Sequence, residues 1–302
     1  MQLKRGIKRQ LVIILDASES MNEKDTTLTR MEFVQPKIEE FSKAFLKENP
    51  LSRISLIITQ NSESRVVSPL TSRPIKFQVQ PEGHVSYQNS LLTALRVLRS
   101  DSASKEVLII FSSFTSCDPF DINETIREMV DKKVRCSFVS LTGELKILRK
   151  LVNETEGEGD IALDVHHFDQ ILTKYLVPPY FDKNISSLME MGFPQLLVEE
   201  SACACHSVIT KSGNICPKCK SKVCDLPRDC PICLLPLIEP HNLQKSLIHS
   251  TELQFISGDG SCCCCSDLGD VMCIFCSTVY CGACHSFVKD SLFFCPNCNP
   301  SF

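Results

Sequence analysis

No apolar run in the 302 residues approaches the roughly 20 that a membrane-spanning helix needs, so the sequence offers no membrane span. Basic excess is missing too. Lys and Arg number 32 against 36 Asp and Glu, a net charge of −4. A protein that coats nucleic-acid phosphates by itself needs the opposite balance, so any DNA role is expected to run through partners. The first residues are not expected to act as a secretory leader. Lys4, Arg5, Lys8 and Arg9 are followed by an apolar run of only Leu11 to Leu15, short of a signal core of roughly 7–15 residues. Cysteine is almost missing from the first two thirds: of 19, only Cys117 and Cys136 precede Cys203. The first half also holds no Ser-His-Asp order, no phosphate-binding glycine loop and no paired acidic signature. These lacks together predict a soluble intracellular chain without an evident catalytic centre, in a compartment where thiols stay reduced and paired cysteines mean metal.

What is present suits a globular fold. Hydrophobic residues make up 43% and charged residues 23%, ordinary values, and the length suits about two or three domains. Leu11 to Leu15, Ile54 to Ile58, Val107 to Phe111 and Val134 to Leu141 are short apolar runs of the kind buried parallel strands show, and Arg65 to Leu70 reads as a short edge strand. Between them lie helical patterns. Phe33, Val34, Ile38, Phe41 and Phe45 share one face before Asn49-Pro50, and Ser90 to Leu98, Asp121 to Val130, Glu144 to Val152 and His167 to Leu176 follow. Strands alternating with helices of about ten residues predict a doubly wound α/β domain with a mostly parallel sheet. It is expected over residues 1–177 and to end at Pro178-Pro179. A linker is expected over 178–200, with a short helix over Ile185 to Met191 closed by Gly192.

In such sheets ligands bind at the carboxyl ends of the strands, where the strand order reverses. Asp16-Ala17-Ser18-Glu19-Ser20 stands there, directly after the first strand. This Asp-x-Ser-x-Ser is similar to the opening signature of a von Willebrand A metal site, whose carboxylate and hydroxyls are hard donors suited to Mg²⁺. The remaining loops lack what such a site needs. Val107 to Phe111 runs into Ser112-Ser113-Phe114 with no acid until Asp118, and the loop around Ser86 to Ser90 lacks the usual Thr. Asp16, Ser18 and Ser20 are therefore expected to form a vestigial motif that shapes a loop, with Mg²⁺ binding not expected.

The second half is organised by cysteine. Cys216-x-x-Cys219 and Cys230-x-x-Cys233, ten residues apart, have the spacing of two zinc knuckles completing one tetrahedron, over an expected module 201–250. Cys203, Cys205 and Cys224 remain over, with His206, His241 and His249 nearby. They could pair with Cys216 and Cys219, build an extra site or stay free; one Cys₄ site plus spare thiols is the simplest arrangement. In residues 251–302 four more pairs follow: Cys262/Cys265, Cys273/Cys276, Cys281/Cys284 and Cys295/Cys298. The four-residue gap between the second and third pairs is too short for free-standing knuckle domains. It fits an interleaved RING arrangement in which pairs one and three hold one ion, and pairs two and four the other. Cys263 and Cys264 are spare in that scheme, and His285 is an alternative to Cys284. Three zinc ions are expected in all.

An α/β domain of this type followed by a Cys₄ finger and an all-cysteine RING resembles the von Willebrand A/RING core-subunit family of the transcription and DNA-repair factor TFIIH. The segments carrying it are Arg5-Gly6, Asn49-Pro50-Leu51-Ser52, Glu106 through Ser113, Cys117-Asp118-Pro119, Met191 through Pro194, Cys224 through Pro227 and Asp290-Ser291-Leu292. The family also has the serine pair at Ser112-Ser113. The chain departs in the short seven-residue gap between the first two RING pairs. The resemblance implies a nuclear, non-catalytic subunit. Its α/β domain would bind and stimulate an XPD-type DNA helicase in transcription initiation and nucleotide excision repair. Its zinc modules would anchor other core subunits, including a second von Willebrand A subunit. The rival reading is a RING-type E3 ubiquitin ligase. Against it, the first RING pair is flanked by Cys263, Cys264, Ser266 and Asp267 rather than apolar residues.

Overall fold

The computed structural model describes residues 4–5, 8–25, 28–98, 103–181, 190–246, 255–292 and 295–298. The chain divides into two compact units, Met1–Ile238 and Glu239–Phe302.

In the first unit the apolar runs become strands and the amphipathic runs helices. In chain order these are β1 (Arg9–Asp16), α1 (Arg30–Glu48), β2 (Arg53–Gln60), β3 (Glu63–Thr71), α2 (Tyr87–Val97) and β4 (Ser104–Phe111). They are followed by α3 (Ile122–Asp131), β5 (Val134–Ser140), α4 (Lys146–Glu154), β6 (Gly159–Ile161) and α5 (Val165–Lys174). The six-stranded sheet has the order β3-β2-β1-β4-β5-β6. All neighbours are parallel except β3, which returns antiparallel to β2. That return needs a tight turn, and Asn61 and Ser62, both at positive φ (51° and 61°), supply it as the twist of a hairpin demands.

β1 is buried along its whole length because helices cover both faces. Alternation then sorts its side chains. Leu11, Ile13 and Leu15 join α1 and α5 through Val34, Ile38, Phe45, Phe168 and Ile171. Val12 and Ile14 join α2, α3 and α4 through Leu91, Ile126, Met129, Leu148 and Leu151. Helix ends are set by local chemistry. Thr29 and Glu32 close a capping box at the start of α1, satisfying two of its orphan amides. At its end the Asn49 side-chain amide donates to the Phe45 carbonyl at 3.1 Å, and Pro50 follows.

Two findings differ from the sequence reading. Gly159–Ile161 forms a sixth strand, too short to read as one. Arg9, whose place beside Lys4, Arg5 and Lys8 suggests a solvated charge, is 1% exposed. Its guanidinium forms a bidentate pair with Glu106 (2.8 and 2.7 Å) and donates to the carbonyls of Leu176 (2.8 Å) and Tyr175 (2.9 Å). It also lies over the Phe45 ring, 4.7 Å from its centre. One cation thus ties β1, β4, α1 and the end of α5. The predicted linker helix falls largely on residues 185–189, outside those described.

The same unit carries a cysteine module of short strands. Gln195–Leu197, Gly213–Ile215 and Lys222–Val223 form one antiparallel sheet, and Ser201–Ala202 pairs with Ile209–Thr210. Arg53 at the start of β2 meets Asp229 of this module at 2.6 Å. The second unit has a three-stranded antiparallel sheet of Phe255–Ser261, Leu268–Cys273 and Val279–Tyr280, with a helix over Gly282–Phe287.

Candidate functional site

The reversal of strand order lies between β1 and β4, with β2 on the other side of β1. Asp16 ends β1 there, fully buried. Its Oδ1 accepts from the Ser18 amide (2.8 Å), and its Oδ2 from the amides of Ser112 (3.0 Å) and Ser113 (2.9 Å) beyond β4. The hydroxyls satisfy one another: Ser18 Oγ lies 2.8 Å from Ser20 Oγ, which lies 2.6 Å from Ser112 Oγ. Asp118, the first acid after β4, is directed elsewhere. It accepts from Ser86 Oγ (3.0 Å) and the Gln88 amide (2.8 Å) at the start of α2. The Tyr87 hydroxyl closes the crevice by donating to the Ser113 carbonyl at 2.8 Å, and its burial pushes that phenol's pKa up. One carboxylate, spent on three backbone amides, is left where Mg²⁺ needs several free oxygens.

The consequence is testable. Asp16→Ala orphans three buried amides, and we expect a stability loss of roughly 3 kcal/mol, of equal size with and without Mg²⁺ in thermal unfolding. Mg²⁺ raising the melting point of the parent chain but not of the variant would identify a working cation site.

Loops at this carboxyl edge present large apolar side chains to solvent. Phe114 and Phe120 stand on the loop after β4, and Leu163 follows β6; they are 56%, 78% and 83% exposed. The two cysteines of the α/β domain belong to none of the ligand groups found among the described residues. Cys136 is buried and its thiol is pushed up to about 12 by burial; Cys117 is exposed and single.

Of the remaining cysteines, all but Cys263 and Cys264 gather into groups whose ligand atoms all lie within 4.8 Å of one another. In the first unit, Cys216, Cys219, Cys230 and Cys233 form one. Sulfurs of opposite pairs sit 3.5 Å (Cys216 to Cys233) and 3.4 Å (Cys219 to Cys230) apart. In the second unit, Cys262, Cys265, Cys281 and Cys284 form one group and Cys273, Cys276, Cys295 and Cys298 another, so pairs one and three, and pairs two and four, come together. Metal–sulfur bonds of about 2.3 Å at tetrahedral angles require sulfur separations of about 3.8 Å; the folded chain is close to that. The surroundings shift these thiols in both directions, with Cys233, Cys265, Cys284 and Cys298 held above their ordinary value. The Ser221 hydroxyl and amide hold the Cys219 thiol below its ordinary value, and the amides of Cys265 and Cys281 do so for Cys262. These donor sets suit metal ions, and their softness is consistent with zinc.

His285, offered above as an alternative to Cys284, stacks edge-on against Phe255 with ring centres 4.6 Å apart and lies outside the group. Cys263 and Cys264 stay exposed outside both groups. Cys203, Cys205 and Cys224, which spacing leaves over, gather with His206 into a further group. The reading by Cys-x-x-Cys pairs misses it because a histidine stands in one position.

Known proteins resemble this chain in sequence along most of its length. The Ssl1-like family model matches residues 14–194. A Dictyostelium discoideum protein named general transcription factor IIH subunit 2 is 33% identical over 98% of this chain and 70% of its own length. The Schizosaccharomyces pombe general transcription and DNA repair factor IIH subunit ssl1 is 36% identical over 82% of this chain and 63% of its own. Among solved structures, the TFIIH p34 N-terminal domain aligns with a TM-score of 0.45 and 14% identity, over 54% of this chain and 95% of that one. The match through the sheet and into residue 194, with relatives aligned across nearly the whole chain, identifies the chain as a member of the Ssl1-like family.

Proposed function

We propose that this chain is a non-catalytic core subunit of TFIIH, acting in the nucleus in RNA polymerase II transcription initiation and nucleotide excision repair. Its α/β domain binds and stimulates the XPD-type DNA helicase, and its zinc modules anchor other core subunits, among them a second von Willebrand A subunit. The observation that carries the reading is the alignment of 98% of the chain with a relative named as a TFIIH subunit. The geometry supports it. Asp16 and the serines around it are engaged in holding loops together. The exposed Phe114, Phe120 and Leu163 offer that edge as a protein-docking surface.

Zinc ions held by Cys216/Cys219/Cys230/Cys233, Cys262/Cys265/Cys281/Cys284 and Cys273/Cys276/Cys295/Cys298 would supply folding energy rather than chemistry. Four thiolates close the coordination sphere and leave no open position. Stimulation is differential binding: the subunit favours the helicase conformation competent for unwinding. Purified chain added to the helicase of its own source should raise the unwinding rate severalfold, and Phe120→Asp together with Leu163→Asp should abolish the rise. Tight binding with an unchanged rate would contradict regulation. Ubiquitin chains formed by the purified protein with a conjugating enzyme would contradict a purely structural role.

A further inference from the structure

The first cysteine module shows a pattern that its sequence disguises. Four turns in the chain share one backbone design, each led by a cysteine. The amide four residues on donates back to the leading cysteine's carbonyl: Lys220 to Cys216 (2.9 Å), Leu234 to Cys230 (3.0 Å), Ser266 to Cys262 (2.8 Å) and Ser277 to Cys273 (2.9 Å). Each leading cysteine's own amide donates to the carbonyl five residues on. The fourth residue takes positive φ in every case, between 55° and 64°. In all four the second ligand sits three residues after the first, as Cys219, Cys233, Cys265 and Cys276.

A fifth turn repeats the design. The Ser207 amide donates to the Cys203 carbonyl at 3.0 Å, and the Cys203 amide to the Val208 carbonyl at 3.0 Å. Ser207 has φ 57°. The residue three after Cys203 is His206, whose Nδ1 lies 3.8 Å from Cys203 Sγ. Two more sulfurs complete the set: Cys205, and Cys224, whose amide donates to Cys205 Sγ at 3.4 Å. All four ligand atoms lie within 4.8 Å of one another.

The surroundings lock Cys224 against the turn. The Ala204 amide donates to the Lys222 carbonyl at 2.8 Å. The Lys222 ammonium, on a residue 6% exposed, donates to the carbonyls of Glu199 (2.7 Å), Ser201 (3.4 Å) and Thr210 (2.6 Å). A buried lysine that ties three carbonyls around this hairpin holds the cage in shape.

We propose that Cys203, Cys205, His206 and Cys224 hold a fourth zinc ion in a Cys₃His site. Because Cys224 lies between Cys219 and Cys230 in sequence, the two ions of this module are interleaved, and each closes a loop that contains ligands of the other. The proposal rests on the zinc reading of the other three groups.

Zinc per polypeptide, counted by native mass spectrometry on the full chain purified without chelator, tests it. Four ions are expected in the parent chain and in His206→Cys, and three in His206→Ala. With cobalt replacing zinc, His206→Cys should change the d–d absorption of one site in four, because nitrogen gives way to sulfur there alone. This second readout does not depend on any variant that loses its fold. Three ions in the parent chain would overturn the fourth site while leaving the zinc reading standing, and none would overturn both. Four ions in His206→Ala, with a cobalt spectrum unmoved by His206→Cys, would also overturn it.

Discussion

Arg9→Ala should lower the stability of the α/β domain by about 3–5 kcal/mol, because it leaves Glu106 buried and unpaired. Glu106 is 6% exposed, and the carbonyls of Tyr175 and Leu176 lose their donor as well. The strands it joins are far apart in sequence, so the loss falls on global unfolding rather than on local fraying. At a few degrees per kcal/mol for a domain of this size, a fall in melting temperature of roughly 10 °C follows. Arg9→Met combined with Glu106→Leu should recover part of the loss, since neither charge is then stranded. A fall no larger than that of an exposed arginine would mean that the side chain is hydrated in solution.

Cys230→Ser should have the second large effect. Cys230 is fully buried, and its sulfur lies 3.4 Å from that of Cys219. Structural zinc contributes roughly 10–16 kcal/mol in small modules, more than the few apolar side chains around Cys216, Val223, Leu235 and Leu237 supply. The variant should lose the ion of that group, and trypsin should cut at Lys222, which the folded module buries. The sheet of β1 to β6 should keep its cooperative melting. Its side-chain ties to the module include the Arg53–Asp229 pair, each side chain 25% exposed, and the contact of Arg73 with His206 at 3.5 Å, and partly exposed polar pairs contribute about 1 kcal/mol or less each. Loss of helical circular dichroism along with the zinc would mean that the α/β domain depends on the module.

Much of this architecture was legible in the sequence. Continuous apolar runs such as Leu11 to Leu15 can be buried only between two layers of helices, so the parallel sheet followed from pattern. The cysteine pairs declared themselves by spacing. What stayed hidden depended on tertiary placement. Arg9 looks like part of a solvated charge run until Glu106, 97 residues away, is seen beside it. Asp16 reads in the sequence as a residue that shapes a loop, but the sequence does not show that its partners are the amides of Ser112 and Ser113, 96 and 97 residues away. The Cys203 turn escaped because its second position is histidine and an extra cysteine, Cys205, breaks the pair rule. Its backbone, not its letters, matches the other knuckles. β6 is three residues long, below what periodicity resolves.

Whether the chain is, as we propose, a scaffold within TFIIH is decided by what copurifies with the tagged full chain from its own cell extract. The XPD-type helicase and the other core subunits are expected in comparable amounts, with the helicase selectively lost when Phe120 and Leu163 are both changed to Asp. Recovery of ubiquitin-conjugating enzymes without a helicase or core subunits would contradict the proposal.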